Sequence, residues 1–223
     1  MIWAVFNLQE ITISCKKNIM ISKKSQLFRQ EKDSQMCGPS SLAFAMSQFG
    51  EKLPPKDISK ELNISKEFGI GLFDLALFPI NRSFNVEIFA WDGANFPVNW
   101  HDASQKEIIK DLSKEKLSTS SWKYSLLNLL KKGAVFHAKP ITPEELDNYL
   151  QKGFSIIIYL DSAVLYKHAS GIWGHYVVLE NCNKKNWKIF DPHWKYGGHK
   201  RYSKDLILFS FYSVGGYCFM IKK

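Results

Sequence analysis

The chain is predicted to be an α+β protein, on three observations. Helical patterns dominate its first half, strand-like runs dominate its second half, and the connection ENCNKKN joins two of those runs closely enough for an antiparallel hairpin. No internal repeat, low-complexity tract or long linker interrupts this order, so one domain is expected across residues 1–223.

Taken in order, the first residues hold a short strand-like stretch, and CGPSSLAFAMSQFG (37–50) then reads as a buried helix. Pro39 suits its first turn, Gly50 suits its stop, and Leu42, Phe44, Ala45, Met46 and Phe49 need a packed environment. A short helix is expected after Pro54-Pro55 through DISKEL, and another from Gly71 through LFDLALF. NVEIFAW (85–91) is β-branched and aromatic enough for a strand. Residues 103–132 read as two helices parted near Ser118–Ser121. TPEELDNYLQKG (142–153) carries a capping box, with Thr142 as N-cap and Glu145 three residues on, and Gly153 as its stop. The period then changes, and FSIIIYLD (154–161), HYVVLENC (175–182), NWKIFD (186–191) and GYCFMIK (216–222) read as strands.

Composition narrows the function classes. With 45% apolar and 14% aromatic residues the chain has material for a real core. The net charge of +9 is spread over separated lysine pairs such as Lys131-Lys132 and Lys184-Lys185, without a basic run or a nucleic-acid motif, so a solvated basic surface is expected rather than a nucleic-acid partner. The N-terminal apolar run is broken by Asn7, Gln9 and Glu10, and no stretch approaches the ~18 apolar residues of a membrane span. Cys15, Cys37, Cys182 and Cys218 form no CxxC pair, and the spacing of Cys182, His193 and His199 fits no metal site, so no metal and no cofactor is expected. A cytoplasmic, reducing compartment is the expectation, and it leaves thiols free for chemistry.

Cys37 opens its helix, where unpaired N–H groups and the helix dipole favour an anion and hence a thiolate. A thiolate that attacks carbonyls needs a base, and His175 opens a strand well downstream, beside the small Gly174 and near Trp173, the two expected substrate-contacting residues. Asp191 ends the next strand. In a hairpin the start of one strand neighbours the end of the other, so Asp191 can orient the His175 ring.

QMCGPSSLAFAMSQFG, GHYVVL and IFDPHW together resemble the papain-like cysteine peptidases of the bacteriocin-processing, double-glycine type and their stand-alone relatives. The resemblance covers about residues 28–195, and the Cys-to-His spacing lies within the roughly 130–150 residues of papain-type enzymes. It implies a papain-like fold, catalytic Cys37, His175 and Asp191, and a peptide or protein substrate. The corresponding layout has an N-terminal extension (1–27), a helical lobe with the nucleophile (28–132) and a sheet lobe with His and Asp (133–223). Such peptidases carry an oxyanion-hole Gln six residues before the Cys. Here that position is Glu31, whose carboxylate is an acceptor, so Gln30 is the first candidate and Gln35 the second. An amidase or acyltransferase with the same triad stays open, as does a non-catalytic papain-like binding module. LDSAVLYKHASGIWGHYVVL (160–179) also resembles plant-type guanylyl cyclases.

Overall fold

A computed structural model of the chain describes residues 27–32, 34–64, 69–92, 95–167 and 174–223. The strand-like N-terminal stretch lies outside them.

The first half supplies α1 (Cys37–Ser47), α2 (Pro55–Glu61), α3 (Leu72–Ile80), β1 (Asn85–Phe89), α4 (Gln105–Ser113) and α5 (Trp122–Lys131). The second half supplies β2 (Val135–His137), α6 (Pro143–Gln151), β3 (Ser155–Asp161), α7 (Ser162–Tyr166), β4 (Gly174–Cys182), β5 (Asn186–Asp191), β6 (Gly198–Ser203), α8 (Lys204–Tyr212) and β7 (Cys218–Lys222). Both capping boxes, Ser104 with Glu107 and Thr142 with Glu145, satisfy the first-turn N–H groups of α4 and α6. Helix α1 stops at Ser47, a turn before Gly50, which takes a positive φ of 89°.

The strands join in the order β2-β1-β7-β3-β4-β5-β6. All pairs are antiparallel except β1 with β2. Central strands β3, β4 and β7 are buried on both faces, which explains their unbroken apolar runs. Ile157, Tyr176, Val178, Phe190 and Phe219 pack with α1, α3 and α5 on one face. Ile156, Ile158, Val177, Leu179, Ile189 and Met220 pack with α6, α7 and α8 on the other. The two sheet edges are blunt, three residues long at β2 and lysine- and arginine-bearing at β6 (GHKRYS), as suits strands that must not pair further.

Two details aim this frame at the site. Val178 lies opposite Phe190, so with a two-residue repeat His175 on β4 and Asp191 on β5 share a face at the same end of the sheet. Helix α1 lies against β4, where the Ser41 hydroxyl donates to the Tyr176 carbonyl at 2.9 Å. A Cβ on Gly38 would meet Ile70 Cγ2 at 2.9 Å and Tyr176 Cδ2 at 3.3 Å, so the absent side chain permits the close approach that brings the tip of α1 to the start of β4.

Candidate active site

Cys37 is the first residue of α1 and is half-buried. Met36, which precedes it, makes no side-chain cap, and no acidic residue stands in the first turn. The helix tip therefore keeps its positive end for the sulfur. The Cys37 sulfur is hydrogen-bonded to the His175 side chain and receives the backbone N–H groups of Tyr176 and Gly38. Burial on its own raises a thiol, but the His175 bond and charge and the two N–H groups outweigh it, and the Cys37 thiol is held below its ordinary 9.0.

His175 is buried, at 5% exposure, and its Nε2 lies 2.9 Å from Asp191 Oδ1. That bond leaves Nδ1 for the sulfur. Burial lowers an imidazole, yet the bonds to Asp191 and Cys37 and the two negative charges reverse this and raise His175 to about 10. Asp191 is fully buried. Burial pushes its carboxyl up, while His175, the His193 N–H and the Tyr166 hydroxyl bring it below its usual 3.8. Its Oδ1 also accepts the His193 N–H at 2.8 Å, and its Oδ2 accepts the Tyr166 hydroxyl at 2.7 Å. A buried carboxylate is tolerable only when its lone pairs are met in this way.

Cys37, His175 and Asp191 thus form one continuous line of contacts. Tyr166, on α7, is a further member of the site for which the sequence held no signal. Its ring lies 5.3 Å from His193 and 4.9 Å from Tyr196, in an aromatic group around the acid.

The two glutamines are less directly tied in. The Gln30 backbone N–H donates to the Pro192 carbonyl at 2.9 Å, which fixes the segment beside the turn after Asp191. Its Nε2 donates to the Ser34 carbonyl at 3.0 Å, and its Oε1 is buried without a hydrogen-bond partner among the described residues. Gln35 is exposed, its Oε1 turned toward Gly69. The space above Gly174, expected to be clear, is filled by Tyr159, whose hydroxyl stands 1.6 Å from where a Cβ would sit. Trp173 lies outside the described residues. His193 Nδ1 accepts the N–H groups of Lys195 and Tyr196, and His199 Nδ1 sits 2.6 Å from Glu180 Oε2. No helix among the described residues is long and apolar enough to cross a membrane.

No protein-family profile matches the chain, and no curated protein matches its sequence. Among solved structures it is similar to a protein from Bacillus anthracis described as a "putative C39-like peptidase". The TM-score is 0.53 at 13% sequence identity, over 89% of this chain and 96% of that one. The α+β, papain-like fold expected from the sequence is the fold of this chain.

Proposed function

We propose that the chain is a cysteine peptidase that works through an acyl-thioester on Cys37. The observation that carries this reading is the contact of a pKa-lowered thiol at a helix tip with an imidazole that a buried carboxylate holds from behind. This is the arrangement an acyl-transfer nucleophile requires. In this reading Cys37 and His175 rest as thiolate and imidazolium. The thiolate attacks the peptide carbonyl, and the carbonyl π electrons move to oxygen. The oxyanion is held by the Cys37 backbone N–H, which the first turn leaves without an intrahelical partner, and by Gln30 Nε2 turning from Ser34.

When the intermediate collapses, His175 gives its proton to the leaving amine. The neutral imidazole then takes a proton from water, whose oxygen attacks the thioester and releases the acid. Asp191 stabilises the imidazolium without accepting its proton. The motif blocks favour a stand-alone relative of the bacteriocin-processing type within this class, and a reducing compartment, where the thiol persists, as the place of action.

The test is incubation with a mixed peptide substrate library, followed by product sequencing and intact-mass analysis of the quenched chain. The reading expects peptide cleavage and a trapped acyl adduct that maps to Cys37, both absent from Cys37→Ala. Cleavage that persists in Cys37→Ala would overturn it.

A further inference from the structure

A cavity of about 290 Å³ is walled by Phe73, Phe96, Trp122, Tyr159, Tyr176 and Tyr217. It shares residues with the surroundings of the nucleophile: the Tyr176 backbone N–H serves Cys37, and the side chains of Tyr176 and Ile70, both lining the cavity, close over Gly38, the next residue. Its size is just below the ~300–1,000 Å³ of sites for drug-sized ligands, which suits a single long side chain.

The wall is not uniformly apolar. Asp74, in the first turn of α3, lines it, and its Oδ1 accepts the Ser125 hydroxyl. The Asp74 charge is felt at Tyr176 across the cavity. Among the described residues, no lysine, arginine or histidine lines it. Lys123, whose Nζ lies 5.9 Å from the ring of the lining Trp122, is engaged by both Glu115 oxygens at 2.7 Å. Two of the three lining tyrosine hydroxyls are spent elsewhere. Tyr176 donates to the Ile70 carbonyl at 3.0 Å and Tyr217 to Asp92 Oδ2 at 2.9 Å, so these two residues meet a guest with ring surface. Aromatic faces around a carboxylate select an organic cation, because ring quadrupoles and the carboxylate attract the same charge.

We propose that this cavity binds a lysine or arginine side chain of the substrate next to the scissile bond, with Asp74 as the residue that selects it. The proposal rests on the peptidase reading and supplies its specificity.

The test uses the full chain and peptidyl chloromethyl ketones that place arginine, its neutral isostere citrulline, or norleucine at either of the two residues before the reactive carbon. Labelling of Cys37 is followed by intact mass. At one of those positions arginine should label roughly tenfold faster than citrulline. Asp74→Asn, which keeps an oxygen for Ser125, should bring the arginine rate down to the citrulline rate, and Asp74→Glu should retain the preference. Equal arginine and citrulline rates at both positions, or a preference that survives Asp74→Asn, would overturn the proposal. An arginine preference in labelling with no peptide turned over leaves the cavity assignment standing and sinks the peptidase reading. Turnover indifferent to basic residues does the reverse, and no labelling at all sinks both.

Discussion

The Tyr166 hydroxyl donates to Asp191 Oδ2 at 2.7 Å, on the side of the carboxylate opposite the oxygen that His175 Nε2 meets at 2.9 Å. Burial and the neighbouring Asp191 charge raise the Tyr166 phenol, so it stays a donor throughout the working range. Tyr166 is a positioning residue in this arrangement. It fixes the carboxylate plane, and the carboxylate fixes the imidazole. Tyr166→Phe removes one donor to a buried charge and should cost about 1–2 kcal/mol of unfolding free energy, measured by denaturant melts. Turnover should fall about tenfold with little change in KM, and the His175 pKa, followed by NMR, should drop. An unchanged His175 titration would reduce Tyr166 to a packing role.

Stability should depend on pH in a direction set by the two partners. His175 is raised from 6.5 to about 10, so its contribution is complete below 6.5 and is lost as pH climbs from 6.5 through about 10. Asp191 is lowered from 3.8, so its contribution is present above 3.8 and is lost as pH falls through its lower folded value. The gap in unfolding free energy between the native chain and His175→Ala should therefore be widest between 3.8 and 6.5 and shrink as pH climbs toward about 10. Denaturant melts at several pH values measure it, and a gap that widens with alkalinity would contradict the ion pair.

Gly197 controls the turn after Asp191. A Cβ there would lie 2.2 Å from the His193 carbonyl oxygen and 2.5 Å from that of Asp191, both backbone atoms that cannot step aside cheaply. Gly197→Ala should destabilise the chain by about 1–3 kcal/mol. Because the same turn presents the His193 N–H to Asp191, turnover should fall as well. Thermal unfolding together with a peptide-cleavage assay checks both effects.

Much of this frame was legible before any coordinates. Thr142 and Glu145 announced α6, the two strand-like runs and short connection of 175–191 announced the β4–β5 hairpin, and Cys37-Gly38-Pro39 announced a helix start. The elements that sequence reading missed are short or carry weak patterns. Helix α7 has five residues, and its N-cap Asp161 is also the last residue of β3, so the apolar run hides the boundary. Strand β6 is polar and half-exposed because it is an edge, and it shows no alternation to read. Tyr166 and Asp74 escaped notice for a different reason. Each gains its meaning from a partner distant in the chain, Asp191 for one and the aromatic wall with Ser125 for the other, and no local pattern encodes such meetings.

The most direct measurement is the rate at which iodoacetamide alkylates Cys37, resolved from the other cysteines by peptide mass and followed against pH. Cys218 is an internal control, since burial raises its thiol and it should stay unlabelled in the native chain. The account predicts a Cys37 midpoint below 9.0, moving upward in His175→Ala once the imidazolium is gone. A midpoint at or above 9.0 that does not move when His175 is removed would contradict it.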